Sequence, residues 1–263
     1  MSATGAVRYG ARQPEQQRNR ELEATQSGEI WSQAITAIYE TDPEIIAAVL
    51  PPPLEPPSEP LVRATITIVE MPGLPTFGAG YYAVRARHEG TEGEYPLFMP
   101  MTTEQATVGG RETYGEPKKI ANVFVERDGD RVRGVVERLG FTVIEIAGRI
   151  AEDLPLPGER TKTDFYFKFL PSPDGKGFDS DPALVYCYKK ERARLLQRVD
   201  GAITLGESPV DPVADIVVRN VREITFAERT TFQTGEIHGR VPSDWLLPYV
   251  HQRYDDLSVL GGK

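Results

Sequence analysis

Glycine and proline interrupt this chain along its whole length. Its 263 residues include 24 glycines and 22 prolines, and both types are spread through the sequence. Proline breaks helix interiors and central strands, and glycine is a usual residue of tight turns. The pattern favours many short elements joined by turns, with more strands than helices.

Alternating and β-branched segments mark the predicted strands. The clearest hairpin is 121–140, in which two such runs flank an Asp-Gly-Asp turn. Further strands are predicted at 61–71, 80–90, 95–101, 141–148, 163–170, 183–189, 201–206 and 215–236. One helix is predicted after Asp42 as N-cap, ending before Pro51, and another begins with Ser243 as cap and is broken or kinked near Pro248.

Composition and spacing exclude several classes of function. The net charge of -9 and the lack of a basic stripe argue against a nucleic-acid partner. His88, His238 and His251 are scattered, and none is paired at ligand spacing, so the sequence predicts no metal site. No G-x-S-x-G elbow or phosphate-binding glycine fingerprint occurs, and no cofactor is predicted. The single cysteine, Cys187, excludes an internal disulfide, and its alternating context predicts a core strand position.

The first residues differ in composition from the rest of the chain. Residues 1–28 are rich in Gln, Arg and Glu and have little apolar content, which predicts a flexible N-terminal arm. Residues 29–263 are predicted to form a single domain. No window approaches the roughly 18 apolar residues of a membrane span, and the start lacks the apolar region of a secretion signal. The expectation is therefore a soluble cytoplasmic protein without a membrane partner.

Two adjacent lysines, Lys118 and Lys119, follow a Gly-Glu-Pro turn in GRETYGEPKKIANV. An amine nucleophile must be uncharged, whereas a lysine of ordinary pKa has only roughly 0.04% free amine at neutral pH. Burial and repulsion from a neighbouring ammonium group both favour the free amine. In an extended segment the two charges would lie about 7 Å or more apart on opposite faces, which limits their repulsion to roughly 2.4 kcal/mol at an effective dielectric of about 20. Burial is therefore expected to be the larger effect.

Lys118 is the predicted desolvated nucleophile, because an extended register would also place Glu116 and Tyr114 on its face. These two residues would supply an acid/base group and a hydroxyl. A turn between them could break this register. Taken alone, Pro-Lys-Lys is more typical of a solvated loop, and the second doublet, Lys189-Lys190, is interpreted as a charged face.

The segment that contains the lysines resembles the active-site segment of the acetoacetate decarboxylase family. Gly110, Arg111 and Glu112, followed by Pro117, Lys118 and Lys119, match it, and the first lysine of the family forms a Schiff base with a keto acid. The segments YETDPEIIAAVLPPPLEPPSEPLVR and GEYPLFM also match, so the likeness is clear over residues 35–125 and faint elsewhere. It implies an α+β fold that is mainly antiparallel β, with the sheet wrapped into a cone or closed barrel, a few flanking helices, a buried lysine and assembly into a homo-oligomer.

The chain departs from the family pattern at three positions. Ala79 stands where the decarboxylases carry a catalytic glutamate. Ser32 stands where they carry an N-terminal arginine, although an arm residue such as Arg18 or Arg20 could replace it. Two residues before the Schiff-base lysine the family has an aromatic residue, whereas this chain has Glu116. A carboxylate thus moves from one wall of the expected pocket to another.

The resemblance implies a cofactor-free lyase that forms an imine between Lys118 and the ketone of a small oxo acid. Glu116 would transfer protons, Lys119 would help to set the charge balance, and Tyr114 and Arg111 would bind the substrate. An imine makes the neighbouring carbon acidic, so aldol addition, retro-aldol cleavage and dehydration are all open, and branches of the family act on pyruvoyl compounds. Two alternatives remain: decarboxylation of acetoacetate or another 3-oxo acid, and a non-catalytic small-molecule binding protein with the same fold.

Overall fold

The computed structural model describes residues 9–11, 15, 30–70 and 75–256. The predicted arm, including Arg18 and Arg20, lies outside the described residues except at 9–11 and 15. The strands are β1 (Trp31–Glu40), β2 (Leu61–Glu70), β3 (Phe77–His88), β4 (Thr91–Met101), β5 (Lys118–Ile120), β6 (Asn122–Asp128), β7 (Arg131–Arg138), β8 (Phe141–Asp153), β9 (Arg160–Lys168), β10 (Ala183–Leu205) and β11 (Asn220–Arg240). The helices are α1 (Pro43–Val49), α2 (Glu104–Tyr114), α3 (Ser243–Leu246) and α4 (Val250–Arg253), and two 3-10 turns span Val213–Asp215 and Leu247–Tyr249.

Seven of the strands form a closed ring. Their order is β11-β1-β2-β3-β4-β9-β10, and β10 pairs with β11 to complete the circuit. The contacts of β4 with β5 and β9 are parallel, and the other ring pairings are antiparallel. From β10, the strands β8, β7 and β6 continue as an antiparallel extension. The expected mainly antiparallel sheet, wrapped on itself and flanked by few helices, is confirmed.

Alternation in β1 and β2 separates the core from the ring interior. Ile35 and Ile66 are fully buried on the outer face, where β7 of the extension crosses them. The crossing is close, because a Cβ added at Gly134 would lie 2.6 Å from Cγ2 of Ile35. Thr36 and Thr65, one residue out of phase, line cavities inside the ring. The main hydrophobic core therefore lies between ring and extension, and the ring interior remains available for a polar site.

Three elements differ from the sequence predictions. The two strands expected at 183–189 and 201–206 are one 23-residue strand, β10. Its charged middle is stabilised by cross-strand ion pairs such as Arg194 with Glu228, at 2.8 Å. The sequence predicts neither β1 nor α2. The glycines at 109 and 110 lower the helical propensity of α2, which is supported instead by Thr103, whose Oγ1 accepts a hydrogen bond from the Ala106 amide.

The predicted helix ends are partly correct. Asp42 precedes α1, but its carboxylate pairs with Arg219 at 2.6 Å and does not cap the helix. Ser243 is the first residue of α3, and its hydroxyl donates to Asp181 at 2.8 Å. The predicted break near Pro248 is confirmed, because a 3-10 turn separates α3 from α4 there. None of the helices in the described ranges is both long and apolar enough to cross a bilayer.

Candidate functional site

Lys118 begins β5, a three-residue strand beside β4, and is directly paired with Met99. Its side chain is 14% exposed. The Nζ atom donates to the Ala106 carbonyl at 3.1 Å and lies 2.7 Å from Oε2 of Glu116. Lys118 is therefore held by the first turn of α2 on one side and by a carboxylate on the other.

Glu116, the carboxylate in contact with this lysine, has a side chain that is 2% exposed. Its Oε1 accepts a hydrogen bond from Nε2 of Gln233 on β11 at 2.8 Å. Burial alone would raise the pKa of Glu116, but the Lys118 and Lys189 ammonium groups and these hydrogen bonds hold it below its usual range. The carboxylate is therefore ionised at neutral pH and able to accept a proton.

Gly110 lets α2 approach this ion pair. A Cβ at this position would lie 1.9 Å from Oε2 of Glu116 and 2.4 Å from Nζ of Lys118. Both distances are far shorter than van der Waals contact, so any other residue would displace the two reactive groups. The adjacent Gly109 faces open space. Only the second of the two glycines is required by the geometry of the site.

The extended register predicted between Tyr114 and Lys118 is wrong. Tyr114 is the last residue of α2, and Gly115 ends the helix in the left-handed conformation at φ 85°. The Tyr114 ring instead lies against β11, since a Cβ at Gly235 would be 2.9 Å from its Cδ1. Burial raises the pKa of Tyr114, and the neighbouring Cys187 thiol and Glu116 carboxylate add to the rise. Tyr114 thus borders the site from the helix end and keeps its phenolic proton.

The side chains of Lys119 and Arg111 hold β5 in position. Alternation in β5 turns the Lys119 side chain away from Lys118, and its Nζ lies 3.0 Å from Asp211 and 2.9 Å from Asp255. Arg111 donates from Nη1 to the Lys118 carbonyl at 2.8 Å. The contacts of both residues therefore fix the position of β5.

A cavity of about 160 Å³ lies inside the ring next to this site. Ala79, Met99 and Met101 form its apolar end, with Gln233 linking it to Glu116. The remainder is charged and lined by Arg63, Glu94, Lys162, Asp164, Lys189, Glu191 and Arg229. The wall therefore changes from apolar near the Lys118 strand to strongly polar further along the ring.

Lys189 belongs to this cavity, and its interpretation as part of an exposed charged face is wrong. It forms an ion pair with Asp164, lies 3.2 Å from the Tyr166 hydroxyl and sits 4.5 Å from the centre of the Tyr81 ring. Lys190 is exposed and pairs with Glu159, as a charged face requires. The period of two in β10 explains the difference and would have revealed it, because Lys189 follows the buried Cys187 at two residues' distance.

Asp164 is a second buried carboxylate that sequence reasoning missed. It accepts hydrogen bonds from the hydroxyls of Tyr81, at 3.0 Å, and Tyr166, at 2.8 Å. Burial raises the pKa of Asp164, the Lys189 ammonium opposes this, and the charge of Glu94 adds to the rise. Cys187 is fully buried beside this group, and burial raises its thiol pKa to about 12, so the predicted core position is confirmed.

The structure also locates the positions where the chain departs from the family pattern. Ala79 lies on β3 opposite Met101 and is almost completely buried. Ser32 lies on β1 directly opposite Arg229, and its hydroxyl donates to the Arg229 carbonyl at 3.1 Å. The carboxylate in contact with Lys118 is that of Glu116.

Two of the scattered histidines meet at the far end of β3. Ligand-type atoms of His88, Glu89 and His238 lie within 4.8 Å of one another, and His238 is 3.0 Å from the Glu89 carboxylate. β3 and β11 therefore bring together two histidines that are not paired at ligand spacing in the sequence. His88 is buried and lies nine residues beyond Ala79 along β3, roughly 30 Å from that residue along the strand.

Comparison with known proteins places this chain in a family. The family model for acetoacetate decarboxylase matches residues 13–241. Acetoacetate decarboxylase 1 of Bradyrhizobium diazoefficiens is 37% identical over 99 residues, which cover 36% of this chain and 38% of that protein. The acetoacetate decarboxylase of Burkholderia vietnamiensis is 26% identical over 194 residues, covering 70% of this chain and 76% of that protein.

Solved structures show the same fold. A structure from structural studies of acetoacetate decarboxylase has a TM-score of 0.71 at 19% identity and covers 81% of this chain and 90% of that chain. The enduracididine biosynthesis enzyme MppR complexed with pyruvate has a TM-score of 0.68 at 16% identity, covering 80% of this chain and 89% of that chain. MppR has also been solved with the condensation product of pyruvate and imidazole 4-carboxaldehyde. With the family model matching most of its length, this chain belongs to the acetoacetate decarboxylase family.

Proposed function

We propose that this protein is a lyase in which Lys118 forms a Schiff base with the ketone of a small oxo acid. The observation that carries this proposal is the 2.7 Å contact between the Lys118 amine and the buried Glu116 carboxylate, beside a cavity inside the ring. Membership of the acetoacetate decarboxylase family supports a lysine-dependent lyase. The chain's own residues favour carbon-carbon bond formation or cleavage, or dehydration, over simple loss of CO₂.

Glu116 activates the lysine in this scheme. The carboxylate accepts a proton from the Lys118 ammonium, and the free amine attacks the substrate carbonyl carbon to form a carbinolamine. Glu116 then returns the proton to the departing hydroxyl, which leaves as water, and a cationic imine remains on Lys118. The sequence predicts that burial frees the Lys118 amine. In the structure this side chain is 14% exposed and paired with Glu116, so the carboxylate is the proposed activating group, and the substrate carbonyl captures the amine once the proton has moved.

The imine withdraws electrons from the adjacent carbon. Glu116, regenerated as a carboxylate by the loss of water, removes a proton from that carbon and gives an enamine that can add to an aldehyde. The structures of MppR with pyruvate and with a condensation product of pyruvate support this branch, since they share the fold. In the proposed complex Tyr114 holds a substrate oxygen. Arg111 and Lys119 act through the position of β5, because their contacts are with backbone and carboxylate groups.

Borohydride trapping tests the proposal. Incubation with pyruvate and sodium borohydride should add the reduced pyruvoyl mass to the peptide that contains Lys118, as read by mass spectrometry. Lys118→Ala should abolish the adduct, and Lys190→Ala, which removes an exposed lysine, should retain it. An unmodified Lys118 across a panel of 2-oxo and 3-oxo acids contradicts the proposal. Ligand binding retained in Lys118→Ala, with no reaction in either form, would support the non-catalytic alternative.

Decarboxylation of a 3-oxo acid is the second candidate function. The family model and the curated relatives favour it, whereas Ala79 and Ser32 lack the glutamate and arginine of the decarboxylases. Manometric or enzyme-coupled detection of CO₂ from acetoacetate distinguishes the two reactions. A rate that depends on Lys118 and saturates with acetoacetate would assign the protein to the decarboxylases.

A further inference from the structure

Arg229 is an unpaired cation inside the ring. It lies on β11, and its side chain lines both the cavity of about 160 Å³ and a second cavity of about 190 Å³. Among the residues that the structure describes, its guanidinium makes no hydrogen bond or ion pair, although Arg229 is half-buried. Burial lowers the pKa of Arg229, the charge of Glu191 opposes this, and Arg63 lowers it further.

The other cations of the 160 Å³ cavity each have a carboxylate partner. Nε of Arg63 lies 2.6 Å from Glu94, and Nζ of Lys162 lies 3.0 Å from Glu191. Lys189 is paired with Asp164. Four cations therefore face three carboxylates in the wall of this cavity. Even a half-buried guanidinium without a partner loses hydration, and an anion that binds to it offsets that cost. The planar fork of an arginine matches a carboxylate in two parallel hydrogen bonds.

The position of Arg229 relative to Lys118 sets the length of the ligand. Arg229, Thr231 and Gln233 lie on the same face of β11 and line the same cavity. Four residues of strand separate the ends of this row by about 13 Å between Cα atoms. Gln233 is hydrogen-bonded to Glu116, which contacts Lys118. A ligand joined to Lys118 can therefore extend along β11 toward the arginine.

We propose that Arg229 binds a second, distal carboxylate of the substrate, so that the preferred substrates are oxo acids with two carboxylates. This inference rests on the proposed imine at Lys118 for the position of the ketone. Ser32 lies directly opposite Arg229 on β1, and its small side chain leaves room for the arginine. An arginine there would place a second positive charge on the same face, and the serine leaves that space to Arg229.

A ligand without a ketone tests the arginine site alone. Glutarate should bind to the wild-type protein and to Lys118→Ala, as measured by calorimetry or by an increase in Tm. Butyrate, which lacks the second carboxylate, should bind roughly 10- to 100-fold more weakly, as expected for the loss of one charge-assisted contact. Arg229→Met should remove the preference, Arg229→Lys should restore part of it, and Arg222→Met, an exposed arginine on the same strand, should leave it unchanged.

Trapping with two six-carbon acids tests the combined site. We expect 2-oxoadipate to modify Lys118 at a concentration at least roughly 10-fold lower than 2-oxohexanoate, and Arg229→Met to make the two equal while 2-oxohexanoate still reacts. Equal glutarate and butyrate affinities in the wild type, or an unchanged preference in Arg229→Met, overturn the inference. If neither oxo acid modifies Lys118 but glutarate binding depends on Arg229, the anion site stands and the proposed Schiff-base function fails.

Discussion

Lys118 and Glu116 depend on each other more than on any other residue of the site. The carboxylate neutralises the buried ammonium, and the ammonium keeps the pKa of Glu116 low despite burial. They are two positions apart in the sequence, so the sequence could place them together. The predicted reason, a shared face of an extended strand, is wrong, because Glu116 lies in the turn between α2 and β5.

Glu116→Gln tests the proton-transfer role. The amide keeps the size of the side chain but cannot accept the proton of Lys118, so we expect exchange of the methyl protons of pyruvate in D₂O to slow by roughly 100- to 10,000-fold. NMR spectroscopy measures the exchange directly. Glu112→Gln, which changes an exposed carboxylate of α2, should exchange at the wild-type rate. An unaffected rate in Glu116→Gln would assign the base to another residue.

The same pair predicts how stability depends on pH. Because the folded pKa of Glu116 lies below its unfolded value of about 4.3, the carboxylate stabilises the fold above that value, and this contribution disappears as the pH falls through the folded pKa. Urea denaturation of the wild type and of Glu116→Gln at pH 7 and at successively lower pH should show a difference in unfolding free energy that shrinks below about pH 4. A difference that stays constant throughout would mean that Glu116 is not ionised in the folded protein.

Residues distant in sequence were the ones that sequence reasoning missed. Gln233 contacts Glu116 across 117 positions, and Arg229 owes its place in the cavity to the pairing of β11 with β1 and β10. No local pattern reports such contacts. Lys189 is different. Its position two residues after the buried Cys187 indicates an inward-facing side chain, whereas the charged residues that follow it favour an exposed face.

At the scale of elements, the backbone of α2 packs directly against the ion pair of Lys118 and Glu116. The helix ends at Gly115, whose left-handed conformation turns the chain toward β5 within a few residues. The predicted hairpin 121–140 corresponds closely to β6 and β7, because its turn and alternation are local signals. The helix α2 could not be predicted in the same way. Two adjacent glycines are unfavourable in helices, and the contacts of α2 with β5 are tertiary contacts that no local pattern reports.

Gly110→Ala separates the geometry of the site from its stability. The added methyl group would meet the flexible ends of Glu116 and Lys118, which can move, while alanine favours the helix by about 1 kcal/mol over glycine. We expect a thermal unfolding midpoint at or above that of the wild type, together with a loss of borohydride trapping of at least roughly 10-fold, because the pair is displaced. Gly109→Ala, whose methyl group would meet open space, is the matched control and should gain stability without losing trapping. Equal trapping in the two variants would show that the close approach of α2 is unimportant.

At the scale of the whole molecule, the second lysine connects distant parts of the chain. Lys119 contacts Asp211 and Asp255, and both carboxylates also pair with Arg138 at the end of β7. One network of ion pairs thus joins β5, the extension, the segment before β11 and the residues just after α4. The ring itself was foreseeable only through the family resemblance, because its closure depends on contacts between β10 and β11 that no local pattern specifies.

Asp211→Asn should destabilise the whole protein and leave the chemistry of Lys118 intact. Asp211 is 1% exposed and lies 3.0 Å from Lys119 and 2.7 Å from Arg138, so its neutralisation leaves two buried cations with only Asp255 and should cost roughly 3 to 5 kcal/mol. Urea denaturation measures the loss. Asp200→Asn, at an exposed carboxylate, should change the unfolding free energy by no more than about 0.5 kcal/mol. Since the network faces away from the cavity, the folded fraction of Asp211→Asn should still trap pyruvate at Lys118; a stable variant that fails to trap it would instead place Lys119 and its partners in the reaction.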